Sequence, residues 1–181
     1  MDAAAIIESL APLVPGASYE AGASIDFATI YVPADRLTAT CRALLDTLRY
    51  NVLTEVTAVD YLPRQPRFEV VYHLLSIPHR ARLRLKVRVP EGGSLPTMQE
   101  VWPSAGWLER EVYDMFGIVF ENHPDLRRIL MPDDWEGHPQ RKDYPVQIRK
   151  TAQTYEPLEV SEEEFRANLE RDRVKRSSTT H

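Results

Sequence analysis

Two glutamates lie two positions apart in the chain, and a pair of carboxylates is the arrangement that general acid and base catalysis uses. Glu109 and Glu111 fall in a stretch whose apolar spacing predicts a helix over Ala105–Phe116, capped by Ser104 and ended by Gly117. Residues two apart on a helix point about 200° away from each other. We therefore do not expect these glutamates to act as a catalytic pair.

Histidines and aspartates form a second group with chemical potential, because both bind metal ions. They cluster after the predicted helix and comprise His123, Asp125, Asp133, Asp134, His138 and Asp143. Their spacing matches neither the short histidine intervals of zinc sites nor the acidic positions and glycine of a calcium loop. The one cysteine, Cys41, lies on a predicted apolar stripe, where we expect it to be packed. The sequence predicts no metal site and no catalytic site.

A strict alternation over Arg82–Val89 predicts a strand with one apolar face and one cationic face. Its cationic side chains are Arg82, Arg84, Lys86 and Arg88. They could protect a sheet edge, remain solvated, meet acidic groups of a partner or bind phosphate. Nucleic acid is the weakest of these alternatives, since the face lacks aromatic residues for base stacking. The net charge of −5 also argues against a general nucleic-acid coat.

The charged side of the predicted helix has two interpretations. Arg110 and Asp114 lie four residues apart and can pair with each other on a solvated surface. Alternatively, Arg110, Tyr113 and Asp114 contact another chain while the apolar stripe packs on the sheet of this domain. Spacing alone does not choose between the two.

Residues 123–157 are rich in proline, charge and aromatic side chains without periodicity, which predicts an irregular surface segment. Arginine, tryptophan, methionine and tyrosine are enriched where proteins meet, and proline keeps a segment extended at low entropic cost. The alternative is a self-packed loop in which Asp133 and Asp134 form turns while Leu130 and Trp135 fill gaps. Both interpretations can hold together.

The elements that position these residues predict an α+β fold. A chain of 181 residues with 43% hydrophobic and 27% charged residues suits one globular domain. The predicted elements are a helix at 3–14, a strand at 24–32, a helix at 33–50, strands at 53–62, 67–77 and 82–89, and helices at 97–103 and 105–116. Short connections between the three strands favour antiparallel pairing. We expect two layers, with helices on one face of a mixed, mainly antiparallel sheet, followed by a long irregular C-terminal extension.

The predicted division is an α+β domain at 1–122, with its core at about 24–120, and an extended docking segment with a charged tail at 123–181. Ser161 and Glu164 predict a tail helix through about Val174, which we expect to fold on assembly. No stretch reaches the roughly 18 apolar residues of a spanning helix. Asp2 stands where a signal peptide carries positive charge, so we expect a cytoplasmic-side protein.

Two consecutive stretches carry a family resemblance. EREVYDMFGIVFENHPDLRRIL over 109–130 and MPDDWEGHPQRKDYP over 131–145 closely resemble the signature of the 30-kilodalton subunit of respiratory complex I. In bacterial NADH-quinone oxidoreductase, members of this family are called the C subunit. Gln140 is a departure, since many relatives carry an apolar residue there.

The resemblance implies a non-catalytic peripheral-arm subunit at the cytoplasmic side of the inner membrane, held there through the complex. It implies a main contact with the 49-kilodalton-type subunit and others with further peripheral-arm subunits. Flavin, iron–sulfur clusters and quinone would reside on those partners, with no cofactor in this chain. The positions carried over as interface or structural residues are Glu109, Arg110, Glu111, Asp114, His123, Arg127, Arg128, Asp133, Trp135, His138, Arg141, Lys142, Asp143 and Tyr144. Of these, Arg127, Arg128, Arg141 and Lys142 are expected to pair with partner carboxylates.

Alternatives to this role remain open. One is the equivalent subunit of a related complex fed by ferredoxin, reduced deazaflavin or hydrogen. Another is a free-standing anion- or RNA-binding domain that uses the basic strand, whose binding would depend strongly on salt. A third, a stand-alone hydrolase, would need an activity that Glu109 or Glu111 supports.

Overall fold

The computed structural model describes residues 2–145, 161, 163 and 165–167. The chain divides into two compact units, Met1–Tyr144 and Pro145–His181. Residues 123–144, which we expected to extend from the domain, belong to the first unit. In the second unit residues 163 and 165–167 are helical, and most of the predicted tail helix lies outside the described residues.

A five-stranded sheet forms one layer of the first unit. Its strands in chain order are β1 (Glu20–Gly22), β2 (Ala28–Tyr31), β3 (Val52–Asp60), β4 (Phe68–Ser76) and β5 (Ala81–Val89). They lie side by side in the order β1-β2-β5-β4-β3, with β2 and β5 parallel and all other neighbours antiparallel. The predicted mixed, mainly antiparallel sheet is confirmed.

Three helices and a small second sheet complete the first unit. They are α1 (Ala3–Leu10), a 3-10 turn (Ala34–Arg36), α2 (Leu37–Asp46), β6 (Ser94–Pro96), α3 (Ala105–Phe116) and β7 (Val119–Glu121). The strands β6 and β7 pair in parallel on either side of α3 in the sequence. The predicted bounds of α3 are confirmed, and Gly117 ends it in the left-handed conformation with φ +76°. The predicted cap by Ser104 is wrong, because its hydroxyl donates to Leu53 O at 3.3 Å instead of to the first turn of the helix.

The core forms where the alternating apolar side chains of the sheet meet the helices. Leu83, Leu85 and Val87 of β5 are fully buried and share one cluster with Leu44 of α2 and Val112 of α3. Burying a leucine side chain contributes roughly 1.5 to 3 kcal/mol relative to leaving it exposed. The alternation over β5 therefore fixes which face of the sheet the helices cover.

Cys41 is fully buried in the same cluster, which confirms that it is packed. Burial in apolar surroundings raises the pKa of its thiol, and the nearby Glu109 carboxylate raises it further. The thiol therefore stays protonated and chemically quiet.

The predicted short helix at 97–103 is wrong, and the segment forms turns. The Thr97 hydroxyl and the Met98 N–H both donate to the Glu109 carboxylate of α3. Glu100 lies three residues after Thr97, at the spacing of a capping box, but it forms an ion pair of 3.1 Å with Arg42 instead. The Thr97 hydroxyl and the Met98 N–H, which could have formed a local helix cap, thus bind the buried Glu109 carboxylate instead.

Candidate functional site

The C-terminal end of α3 organises the candidate site. The last four carbonyls of a helix lack partners within it. Here Tyr113 O accepts from the Gly117 N–H at 2.8 Å. The next three carbonyls accept hydrogen bonds from the segment that follows the helix. His138 Nδ1 donates to Asp114 O at 2.9 Å, and the Gln140 N–H donates to Met115 O at 3.1 Å. Arg141 Nε donates to Phe116 O at 2.6 Å. Residues 138–141 therefore cap α3, and cationic Arg141 suits the negative end of the helix dipole.

Asp114 is the second anchor of this segment. Its buried carboxylate accepts the backbone N–H groups of Ile129, Leu130 and Met131 at 3.0, 2.8 and 2.8 Å. Arg128 Nη1 donates to the other carboxylate oxygen at 2.6 Å. Of the two interpretations of this side of α3, the pairing of Asp114 with Arg110 does not occur, because the chain that leaves α3 returns and occupies the carboxylate.

The pKa of Asp114 shows which effect dominates at this carboxylate. Burial would raise the pKa, but the N–H of Met131, the Arg128 guanidinium and the N–H groups of Ile129 and Leu130 together lower it below the usual value. Asp114 is therefore ionised at neutral pH and draws the segment onto the helix.

Arg110 contacts the same segment from the opposite direction. Its guanidinium donates to the carbonyls of Arg127 and Arg128 at 3.1 and 2.9 Å, and Nη1 lies 3.8 Å from the Asp125 carboxylate. The guanidinium also lies over the Trp107 ring, 5.1 Å from its centroid. Arg110 is thus buried by its own chain, so the charged side of α3 is not a solvated face.

Glu109 lies on the core side of α3 and is fully buried. Its carboxylate accepts from the Met98 N–H at 2.7 Å and lies 4.0 Å from His123 Nε2. His123 Nδ1 accepts from the Asp125 N–H, so Nε2 carries the proton of the neutral ring and donates to Gly106 O at 2.9 Å. Glu111, in contrast, is exposed. The structure separates the two glutamates, as the helical spacing predicts.

The stability of the domain should depend on pH through Glu109. Burial raises its pKa to about 7, against the Thr97 hydroxyl and the Met98 N–H, which lower it. The pKa of Glu109 in the native state exceeds its value of about 4.3 in the unfolded chain. Its contribution to the free energy of unfolding is therefore fully present below about pH 4.3 and is lost as the pH rises through 7. Urea unfolding at pH 5 and pH 8 should show a loss on the order of 3 kcal/mol attributable to this carboxyl.

Glu109→Gln should remove that part of the pH dependence, because the amide does not ionise. Glu111→Gln on the exposed side of α3 is the matched control and should keep the native slope. His123, Tyr72 and Cys41 face Glu109 and are unchanged in both variants. An unaltered slope in Glu109→Gln would show that another group sets it.

Arg67 forms a cluster that the sequence analysis missed. Its guanidinium is 1% exposed and donates to Asp60 at 3.1 and 2.8 Å, and to Glu91 at 2.7 Å. Asp143 receives two further hydrogen bonds from it. Asp60 also accepts the N–H of Lys142 at 2.9 Å. The cluster ties the end of segment 123–144 to the turn between β3 and β4.

Aromatic contacts close the far end of segment 123–144. Trp135 and Tyr144 stack with centroids 6.5 Å apart, and the Tyr144 hydroxyl donates to Glu136 O at 3.1 Å. Arg128 Nη2 donates to the carbonyls of Trp135 and Gly137 at 2.8 and 2.9 Å. These contacts support the interpretation that the segment is self-packed, because its backbone is bound by side chains of the same domain.

Gly117→Ala should destabilise the domain by about 2 to 4 kcal/mol. A Cβ at this left-handed position would lie 2.5 Å from ring atoms of His138 and 2.9 Å from Arg141. Urea unfolding measures the loss. Gly92→Ala is the matched control, because its φ of +72° is alike and nothing lies within 4 Å of the added Cβ. An equal loss in both variants would contradict the close packing of residues 138–141 on Gly117.

The remaining predicted interface residues keep exposed side chains. Arg127 is 71% exposed and pairs with Asp125 at 3.0 Å, while Asp133 and Lys142 are also exposed. Their contact with another protein of the complex stays a prediction, and so does the pairing of Arg127, Arg128, Arg141 and Lys142 with partner carboxylates. Arg128 and Arg141 have acceptors within this chain as well.

The basic strand does not protect an edge, because β5 lies inside the sheet between β2 and β4. Three of its cations pair with neighbouring acids: Arg84 with Asp26 at 3.0 Å, Lys86 with Glu69 at 3.0 Å and Arg88 with Glu20 at 2.9 Å. Aromatic side chains of Phe27 and Tyr31 also lie beside these cations. The face is largely neutralised by its own chain, which weakens the anion-binding alternative.

Within residues 2–145 and the few described beyond, no group of three His, Cys, Asp or Glu side chains is placed to hold a metal ion. In the same residues, no helix has the length and apolar character needed to span a bilayer.

Comparisons with known proteins agree with the described features. The family model for the 30-kilodalton subunit of respiratory-chain NADH dehydrogenase matches residues 30–150. The C subunit of NADH-quinone oxidoreductase from Geobacter metallireducens is 60% identical over 121 residues, which cover 66% of this chain and 75% of the relative. Its counterpart in a Roseiflexus species is 46% identical over 158 residues, covering 86% and 91%.

Two solved structures share the fold. A trypsin-resistant fragment of Nqo5 has a TM-score of 0.57 and 38% identity, covering 68% of this chain and 97% of the fragment. A chain of an archaeal membrane-bound sulfane sulfur reductase has a TM-score of 0.67 and 28% identity, covering 79% and 85%. The match over 30–150 includes the capped α3 and segment 123–144. This chain belongs to the family of the 30-kilodalton subunit of respiratory-chain NADH dehydrogenase.

Proposed function

We propose that the chain is a non-catalytic peripheral-arm subunit of proton-translocating NADH:quinone oxidoreductase that docks the 49-kilodalton-type subunit and supports the quinone-reducing module. Flavin, iron–sulfur clusters and quinone reside on partner subunits. The chain reaches the cytoplasmic face of the inner membrane through the complex. Its relatives named as the C subunit of NADH-quinone oxidoreductase support membership in such an assembly.

The observation that carries this proposal is the folded segment 123–144. Asp114 and Asp60 hold its backbone on the domain, while the side chains of Arg127, Asp133 and Lys142 are exposed. A segment already folded loses little conformational entropy on docking, which favours affinity. The side chains that could have suggested catalysis, Glu109 and His123 among them, are engaged in holding the fold.

The equivalent subunit of a related complex is the second candidate, because the archaeal sulfane sulfur reductase contains a chain of the same fold. The two candidates predict different electron donors for the assembled complex. The names and higher identity of the NADH-quinone relatives favour the first.

A native pull-down tests the docking role. The chain carries a C-terminal tag, gently solubilised membranes are the source, and the eluate is assayed for quinone reduction with NADH and with reduced ferredoxin. We expect a 49-kilodalton-type subunit in the eluate and activity with NADH. Recovery of the chain alone would contradict the proposal, and activity with ferredoxin only would favour the related complex.

Arg127→Ala should weaken assembly without weakening the fold. The side chain is exposed and pairs only with exposed Asp125 among the described residues, so the free chain should unfold within about 0.5 kcal/mol of the native one. Loss of a carboxylate partner in the complex should lower the yield of assembled complex at high salt. Arg80→Ala, at the exposed turn between β4 and β5, is the matched control and should assemble normally.

A further inference from the structure

Trp107 is 64% exposed, although its neighbours on α3, Gly106 and Arg110, are buried. A tryptophan left in water forgoes much of its favourable burial. Tryptophan is also the residue type most enriched among the few side chains that dominate binding energy at interfaces. Its position beside segment 123–144 makes the adjoining surface a candidate contact.

A pocket of about 140 Å³ lies directly beside this side chain. Its apolar walls are Trp107, Pro103 and Pro124, and its polar lining includes Gln99, Arg110 and Asp125. A volume of this order suits one side chain of a partner rather than a free cofactor. Proline and tryptophan walls suit a flat aromatic ring.

One residue that lines the pocket, Gln99, carries a hydrogen-bond acceptor without a donor among the described residues. Gln99 Oε1 is buried and receives no hydrogen bond from the part of the chain that the structure describes. It lies against α3 at Gly106, where an added Cβ would come within 2.9 Å of it. A buried acceptor without a donor destabilises the protein, because it has lost its hydrogen bonds to water. An occupant that donates one hydrogen bond would relieve that destabilisation.

The charges around the pocket disfavour a basic occupant. Two guanidinium groups, those of Arg110 and Arg127, share the carboxylate of Asp125 at 3.8 and 3.0 Å. An added lysine or arginine would meet an excess of positive charge. A neutral ring with a single donor meets no such repulsion, and tyrosine combines both properties.

We propose that this pocket, named the Trp107 pocket, receives a tyrosine side chain of a partner subunit. The ring packs between Trp107 and the two prolines, and the hydroxyl donates to Gln99 Oε1. Nearby Arg127 accommodates an acidic group on the same partner segment. The inference rests on the proposed function, since the assembly supplies the partner.

Competition for assembly tests the pocket. Native and variant full-length chains with different tags are expressed together, and their ratio in the purified complex is divided by their ratio in the cell. Trp107→Ala should be under-represented at least about tenfold. Gln99→Leu should be under-represented several-fold, whereas Gln99→Glu keeps the oxygen acceptor and should compete better than Gln99→Leu. Ile77→Ala, which truncates an exposed apolar residue at the turn after β4, should match the native chain.

A photo-reactive benzoylphenylalanine at Pro103, an exposed residue of the pocket wall, identifies the occupant. We expect a cross-linked partner peptide that contains tyrosine, and a peptide without tyrosine would overturn the stated occupant. Equal competition by Trp107→Ala and Gln99→Leu, in a complex that assembles, would overturn the pocket while leaving the docking role intact. Failure of the native chain to enter any complex would overturn both.

Discussion

Replacing Arg67 with methionine is expected to destabilise the domain by about 3 to 5 kcal/mol. The substitution keeps most of the side-chain volume and removes the charge that three carboxylates share. Asp60 would be left buried and ionised, with only the N–H groups of Leu62 and Lys142 as donors. Urea unfolding of the free chain at pH 7 measures the loss.

Arg64→Met is the matched control for this prediction. Arg64 lies three residues earlier in the same turn and is exposed, and among the described residues it contacts only the ring and backbone of Tyr61. Its loss should cost less than about 1 kcal/mol. Similar losses for Arg64→Met and Arg67→Met would contradict the dominant role assigned to the buried cluster.

The defect of Arg67→Met should also shrink in acid. Burial would raise the pKa of Asp60, but the hydrogen bonds from Arg67, Lys142 and Leu62 lower it well below the usual value. The native cluster therefore contributes stability above the unfolded pKa of about 4 and loses it as pH falls further. The difference in free energy of unfolding between the native and the Arg67→Met proteins should become smaller below about pH 4.

Asp114→Asn should release segment 123–144 from α3. The amide keeps one acceptor but loses the charge that attracts Arg128, and its N–H₂ group faces backbone donors. The free energy of unfolding should fall by about 2 to 4 kcal/mol, because buried N–H groups lose their acceptor. Trypsin should then cleave after Arg128 or Arg141 more than about tenfold faster, as opening becomes easier.

Asp133→Asn is the control for this release, because Asp133 lies in the same segment with an exposed side chain. It should leave the cleavage rate unchanged. Fast cleavage in the native chain, equal to that of Asp114→Asn, would show that the segment is not held by Asp114.

The sequence predicts α3 well because its signals are local. The buried stripe is indicated by apolar residues at helical spacing, namely Leu108, Val112, Met115 and Phe116. The end of the helix is indicated by Gly117, because glycine adopts the left-handed conformation readily. The paired strands follow from alternation and short connections for the same reason. The helix predicted at 97–103 is wrong because the decisive contact comes from a residue outside the segment. Glu109 accepts hydrogen bonds from the Thr97 hydroxyl and the Met98 N–H.

The candidate site is predictable only in part. Composition marks residues 123–157 as distinctive, but it does not reveal that Asp114 and Arg67 bind the part at 123–144. Arg67 lies between a proline and a strand, where an arginine is ordinarily solvated. Its three acidic partners come from separate parts of the sequence, so no spacing rule links them. The one available signal is the RKD run at 141–143, in which three consecutive charged residues imply charged partners.

The internal contacts change how docking is understood. Charges that we expected at interface or structural positions, such as those of Arg128 and Asp143, stabilise the domain itself. Truncating them would therefore mix folding and assembly effects. Substitution of exposed residues such as Arg127, Trp107 and Lys142 can test assembly separately from folding, because truncating these side chains should leave the free domain folded.

Zero-length carbodiimide cross-linking of the purified complex tests the docking role most directly. The reagent joins a lysine only to a carboxylate in contact with it, and Lys142 is exposed at the end of the folded segment. The proposed role predicts a cross-link from Lys142 to an aspartate or glutamate of the 49-kilodalton-type subunit, which Lys142→Arg abolishes while the complex stays intact. A complex in which Lys142 joins no residue of that partner, while other lysines of this chain do, would contradict docking through this segment.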